Sequence, residues 1–277
     1  MNKLRPFQET GVEFLVSNKR ALLGDDMGLG KTVQAVAALA RLRPKKVLIV
    51  CPTSVVPSWS STLTKWGNPN WTQFSVGTKT CKVPDVNVVI CSYNLLIEPA
   101  IKAQLGIGWG VLIADEAHWL KNKKAQRTQT MFQRKGGIAR KCVYFWGLSG
   151  TIQPSNPADM QVLLSTLFRE RHKTFGDFLS FGRTFCGMYR TSLGWRYGQP
   201  KNMDKLAKIM EPFYLRRTKE EVLEDLPPKR VVFRYYSPAE LGLVGNTSWA
   251  DIEEQASGKK SSCGLSLEEI AEERQLV

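Results

Sequence analysis

Histidine is nearly absent from this chain of 277 residues: there are two, His118 and His172, and no cysteine is spaced to join either as a metal ligand. That makes zinc a poor reading. The six cysteines, at 51, 81, 91, 142, 186 and 263, contain no C-x-x-C pair. Cys51, Cys91 and Cys142 lie in or beside apolar runs, as reduced core thiols of an intracellular protein do. No stretch approaches the roughly 20 apolar residues that span a bilayer. The basic N-terminus is interrupted by Gln8 and Glu9, so neither a membrane span nor a leader is expected. Cytoplasm, or a nucleus where there is one, is the expected home. No internal repeat is visible. Acids are also scarce: 25 Asp and Glu stand against 39 Lys and Arg, a net charge of +14, so the surface is expected to attract a polyanion. A generally solvated basic face is the plainer alternative.

Two stretches carry chemistry. Residues 24 to 32 read GDDMGLGKT, between the apolar run Ala21-Leu22-Leu23 and a segment with Val33, Val36, Ala37 and Ala40 at helical spacing, halted by Pro44. A loop that holds a triphosphate must aim several backbone N–H groups at one anion, and Gly28 and Gly30 permit the dihedrals this needs. Lys31 supplies a charge for the β and γ phosphates, and Thr32 offers a hydroxyl to Mg²⁺ at a helix start. Asp26, Met27 and Leu29 complete the loop. The strict pattern G-x-x-x-x-G-K-S/T is broken by Asp25, which stands where the first glycine should be. The second stretch, GVLIADEAH at 110 to 118, is an apolar run ending in two acids, as expected of a buried parallel strand whose carboxyl end enters a site. Asp115 is expected to hold Mg²⁺ and Glu116 to orient or deprotonate the attacking water. His118 reads as a coupling residue.

Further apolar runs at 47 to 52, 86 to 93, 111 to 117 and 143 to 151 alternate with stretches long enough for crossover helices, the rhythm of an open parallel α/β sheet. Each ends in residues with chemistry, and all four ends are expected on one surface. From about 155 to 215 the texture becomes aromatic and basic with no apolar strand run, which predicts a helical protrusion. LPPKR at 226 to 230 breaks the chain, residues 257 to 264 read as a flexible linker, and the last segment holds Leu267, Ile270 and Leu276 on a short helix.

In order along the chain, these motifs resemble the N-terminal ATPase lobe of SWI/SNF-type superfamily 2 helicase-like motors, closest to their HepA-related annealing-helicase branch. LRPFQETGVEFL (4 to 15) looks like the family's Q-type opening, DDMGLGKT (25 to 32) its phosphate loop, and CPTSVVPSW (51 to 59) its next motif. DEAHWLKN (115 to 122), GLSGTIQPSNPADM (147 to 160) and the boundary element FYLRRTKEEVLEDLPPK (213 to 229) follow. The resemblance covers roughly 1 to 230. It implies a RecA-like parallel sheet flanked by helices, with residues 231 to 277 forming a linker and the truncated start of a second lobe.

The resemblance also implies roles. Gln8 would read the adenine edge, with Arg5 beside it, while the phosphate loop takes ATP and Mg²⁺. Ser149 and Thr151 would couple nucleotide state to DNA grip. Ile152 replaces the usual proline, which puts the shape of that turn in question. DNA contact, independent of base sequence, is expected from Thr53, Ser54, Trp59, Ser92, Tyr93, Asn94, Lys121, Asn122, Lys123 and Lys124, with Trp59 and Tyr93 also readable as packing residues and Lys123 and Lys124 as merely solvated. Arg216 and Arg217 are expected to bind the protrusion, the second lobe or DNA. Family motors close two lobes over ATP, and an arginine from the second is worth about 10³ to 10⁵ in rate in related phosphoryl transfer. With no room for that lobe here, ATP binding with slow turnover is expected, unless a separate chain supplies it. Two alternatives stay open: a non-catalytic DNA-binding or regulatory module with a nucleotide switch, and a small-molecule kinase, which the Q-type opening and DEAH disfavour.

Overall fold

The computed structural model describes residues 3–151, 157–192 and 194–222, all within one compact unit, Met1–Leu226. Ile152, the breaker at 226 to 230, the linker and the final segment lie outside the described residues. Among the described residues no helix is long and apolar enough to cross a membrane.

Seven strands form one parallel sheet: β1 (Arg20–Leu23), β2 (Val47–Cys51), β3 (Gln73–Ser75), β4 (Val88–Ser92), β5 (Trp109–Asp115), β6 (Cys142–Leu148) and β9 (Tyr214–Leu215), in the order β3-β4-β2-β5-β6-β1-β9. Every residue of β2 and β4 is buried, because helices cover both faces and neither needs a polar side. Alternate residues sort to opposite layers. Val47, Ile49, Val111, Ile113, Trp146 and Leu148 pack under α1 (Pro6–Ser17), α2 (Lys31–Leu42) and α3 (Val56–Trp66). Leu48, Val50, Leu112, Ala114 and Phe145 face the other layer, which includes α4 (Tyr93–Leu96), α5 (Pro99–Leu105) and α6 (Gln126–Phe132). Cys51, Cys91, Cys142 and Cys186 are buried free thiols.

The segment after β6 departs from the helical expectation. Helices α7 (Pro157–Leu167), α8 (Phe178–Phe185) and α9 (Met203–Met210) are present, but an antiparallel hairpin of β7 (Tyr189–Thr191) and β8 (Gly194–Arg196) stands between α8 and α9. Its strands are three residues long, too short for a sequence period to register. The chain then returns to the main sheet as β9, pairing Leu22 with Tyr214 and Leu23 with Leu215, before the short α10 (Lys219–Val222). Edge strand β3 was equally illegible, at three residues with little burial.

The protrusion is anchored by aromatics. Phe168 and Phe213 stack at 4.0 Å between ring centres, and Phe175 meets Phe213 edge-on at 6.4 Å. Because Phe213 is fully buried and immediately precedes β9, its truncation opens a cavity just where the chain rejoins the sheet. Phe213→Ala is expected to cost about 3–5 kcal/mol, seen as a lower urea midpoint. Exposed Ile107→Ala should stay within about 0.5 kcal/mol.

Candidate active site and nucleic-acid face

Three neighbouring strands, β5, β6 and β1, deliver the chemistry at their carboxyl ends. The loop after β1 holds Gly28 at φ 88° and Gly30 at φ 76°, left-handed conformations that a side chain would strain. Gly30 caps α2, so the helix opens at Lys31 with Thr32 second. Lys31 donates its Nζ to the carbonyls of Asp25 at 2.7 Å and Asp26 at 3.2 Å, folding the ammonium over the loop. Burial holds its pKa below the ordinary lysine value, with Glu116 and Asp25 among the carboxylates opposing that shift. Gln8 reaches across from α1 and donates to the Leu29 carbonyl at 3.3 Å, while its Oε1 accepts from the Arg5 backbone at 3.0 Å. Met27 is exposed at the rim and Leu29 is buried beneath it.

Asp115, at the end of β5, is nearly buried. Its Oδ2 accepts from Trp59 Nε1 at 2.7 Å, its Oδ1 from the Glu116 backbone at 3.0 Å, and its carbonyl from Tyr93 Oη at 2.8 Å. Desolvation pushes its pKa up, with the Trp59 hydrogen bond opposing. Glu116 sits in the left-handed region, φ 48°, which turns its side chain toward His118 and Ser149. Its Oε2 lies 3.1 Å from His118 Nδ1 and 3.3 Å from Ser149 Oγ, His118 and Ser149 are 3.0 Å apart, and Ser149 contacts Thr151 Oγ1 at 3.1 Å. The hydrogen bond from His118 is the largest cause holding the Glu116 carboxyl below its usual pKa, so the group stays ionised at neutral pH. His118, Ser149 and Thr151, chosen from separate motifs, therefore meet Glu116 in one network.

The expected DNA residues divide. Thr53 and Ser54 after β2, Asn94 after β4, and Lys121, Asn122, Lys123 and Lys124 are exposed. Ser92 and Tyr93 are not available for such contact. Ser92 is buried and accepts from the Leu95 backbone to cap α4, and buried Tyr93 serves Asp115. Both stand at the carboxyl end of β4, but the direction of the side chains is decided by packing. Trp59 is likewise buried, as a packing residue that also donates to Asp115.

Both boundary arginines reach back to acids of the loop after β1. Arg217 makes a bidentate pair with Asp25, Nε to Oδ1 at 3.0 Å and Nη2 to Oδ2 at 2.6 Å, and also donates to Gln34 Oε1 at 3.0 Å and to the Phe7 carbonyl. Gln34 closes the ring by donating to Asp25 Oδ2 at 3.0 Å and Leu29 O at 3.2 Å. Gly11 on α1 makes room: a Cβ there would stand 1.8 Å from Gln34 Oε1. Arg216 pairs more loosely with Asp26 at 3.5 Å. Lys219 is a further residue missed from sequence; its Nζ lies 3.5 Å from where a side chain on Gly28 would begin. The one early signal was the acid at 25 in place of glycine.

The donor set fits ATP with Mg²⁺. Gly28 and Gly30 keep the loop backbone bare of side chains of their own, the Lys31 ammonium donates to neutral carbonyls that a phosphate can replace, and Thr32 and Asp115 offer hard oxygen ligands. Among the described residues no group of three or more His, Cys, Asp or Glu could hold a metal. Magnesium that keeps waters and shares phosphate oxygens needs only one or two carboxylates.

A family model for the SNF2-related domain matches residues 7–243. The chain belongs to that family. Among its relatives is the bovine (Bos taurus) "SWI/SNF-related matrix-associated actin-dependent regulator of chromatin subfamily A-like protein 1", 34% identical over 86% of this chain and 25% of that protein. The human (Homo sapiens) "DNA annealing helicase and endonuclease ZRANB3" is 29% identical over 91% of this chain and 24% of its own length. The SNF2-related chain thus spans about a quarter of these relatives. A solved structure, the "Sulfolobus solfataricus SWI2/SNF2 ATPase core in complex with dsDNA", superposes with a TM-score of 0.66 at 25% identity, over 82% of this chain and 47% of that one. The sheet is the RecA-like lobe of such a core.

Two outcomes follow from this geometry. Arg217→Ala leaves the fully buried Asp25 carboxylate unpaired, and is expected to destabilise by about 3–5 kcal/mol. Adding Asp25→Asn to it should cost less than the two single changes summed, as measured by chemical denaturation. If the charged form of Lys31 is what holds a phosphate, its lowered pKa makes ATP affinity fall as pH rises, beginning at lower pH than an exposed lysine would set. Titration calorimetry across the alkaline range checks this, and Lys31→Arg should move the fall to higher pH.

Proposed function

We propose that this chain is the ATP-gripping lobe of a DNA-dependent ATPase that moves on or remodels duplex or branched DNA. The observation that carries the reading is the meeting of the Lys31 loop with Asp115 and the Glu116, His118, Ser149 network at three adjacent strand ends, in an SNF2-related domain. Bound Mg²⁺ would neutralise charge on the β and γ phosphates. Thr32 and Asp115 would hold that ion, and Gly28, Gly30 and Lys31 would bind the phosphates. Gln8 and Arg5 would lie along the adenine side, and Asp26, Met27 and Leu29 would shape the loop around it.

Glu116 is the residue to orient and deprotonate water. It is ionised, and any change at Ser149 or Thr151 reaches its carboxylate through hydrogen bonds of 3.1 and 3.3 Å. That wiring supports a coupling role for His118, Ser149 and Thr151. Thr53, Ser54, Asn94, Lys121, Asn122 and Lys123 lie exposed just beyond the ends of β2, β4 and β5, suited to phosphate contacts that carry no sequence information. A DNA substrate and buried free thiols both suit an intracellular site, cytoplasmic or nuclear.

A family motor completes its site with arginines from a second lobe. We therefore expect these 277 residues alone to bind ATP and turn it over slowly, and to gain rate when a second lobe is supplied in cis or in trans. A phosphate-release assay with and without duplex DNA tests this: ATP binding abolished by Lys31→Ala, with weak turnover, is the expected result. Fast DNA-stimulated turnover by this polypeptide would refute the need for a partner lobe, and no affinity for ATP or DNA would refute the reading as a whole.

A further inference from the structure

Outside the ATP site, a groove of about 400 Å³ runs between the Lys121–Lys124 loop and the protrusion. Its size falls within the roughly 300–1,000 Å³ of small-ligand sites. One wall is basic. The loop follows directly from the Asp115, Glu116 and His118 turn, and Asn122 Oδ1 accepts from the Lys124 backbone at 2.9 Å. Lys121 is paired with Asp159 at 3.1 Å, so the excess charge is that of Lys123 and Lys124. The other wall is aromatic: Phe178, first residue of α8, and Tyr197, just beyond β8, are 46% and 49% exposed.

Both aromatic residues are held in place beforehand. Gln161, only 2% exposed, donates to the Phe178 carbonyl at 2.8 Å and accepts from Tyr197 Oη at 3.1 Å. One buried amide thus ties down two residues whose rings stand half in water beside ammonium groups that form no ion pair among the described residues. Two positions back along the hairpin, Trp195 is also exposed, with the Arg183 guanidinium 5.0 Å over its ring.

Resting on the DNA reading above, we infer that this groove takes an unpaired nucleotide of a DNA strand. Its base stacks on Phe178 and Tyr197, and its phosphate lies against Lys123 and Lys124. Stacking accepts any base, because each has a π-face, and lysine contacts read no sequence. In an intact duplex those faces are covered by neighbouring base pairs, so the groove selects gaps, overhangs and branches. An acidic peptide would satisfy the lysines but bring no planar partner for the rings.

The test uses the whole chain and fluorescence anisotropy with oligo(dT) and a blunt duplex of equal length. Phe178→Ala should weaken oligo(dT) binding about tenfold, the size of one lost base–aromatic stack, and leave duplex affinity unchanged. Phe178→Trp should restore it, which separates stacking from folding. A 2-aminopurine base in the strand should lose fluorescence on binding the unaltered chain more than on binding Phe178→Ala. Equal weakening for both DNAs, no weakening, or tight capture of polyglutamate unaffected by Phe178→Ala would overturn the groove while leaving duplex binding intact. Binding of neither DNA would overturn the DNA reading with it.

Discussion

The Asp25–Arg217 pair fixes the shape of the glycine loop after β1. Asp25 is wholly buried in the loop, Arg217 comes from the chain returning out of the protrusion, and the two are 192 residues apart. A carboxylate with no solvent tolerates its charge only when paired and hydrogen-bonded, and here a bidentate guanidinium with the Gln34 amide supplies both. The same guanidinium also holds α1 through the Phe7 carbonyl. Helix α1, the loop and the boundary element are therefore one mechanical piece. The acid that broke the simple phosphate-loop pattern is the reason the loop can be held from outside.

Around that piece the two carboxylates are set for different work. Asp115 is desolvated and steadied by Trp59, a state that a divalent cation would relieve, while Glu116 is kept charged by His118. Environment separates two neighbouring acids on one turn, with the left-handed backbone at Glu116 swinging it away from its neighbour's contacts. The Ser149 and Thr151 hydroxyls then join the end of β6 to the acid at the end of β5.

Beyond the end of β5 the Lys121–Lys124 loop leads outward to the protrusion, whose aromatic and basic residues carry no part of the ATP site. The lobe therefore presents two exposed regions of different character. Small polar side chains lie at the strand ends, and rings with ammonium groups lie in the groove. The proposed duplex contact belongs to the first and the proposed unpaired base to the second.

Much of the lobe was readable from residues alone. The apolar runs that became β1, β2, β4, β5 and β6 are long or pure enough to declare buried parallel strands, and glycines beside a lysine, or two acids after such a run, have few other uses. Short elements were not readable: β3, β7, β8 and β9 owe their existence to neighbours rather than to their own two or three residues. Nor could a sequence say that Ser92, Tyr93 and Trp59 turn inward, since a strand end fixes where a residue lies and packing fixes where its side chain points. What the sequence by itself determined is the chemistry of the strand ends, because residue type and local spacing carry it. Only the tertiary structure decided which groups meet, because a buried charge and its partner 192 residues away become neighbours through the sheet alone.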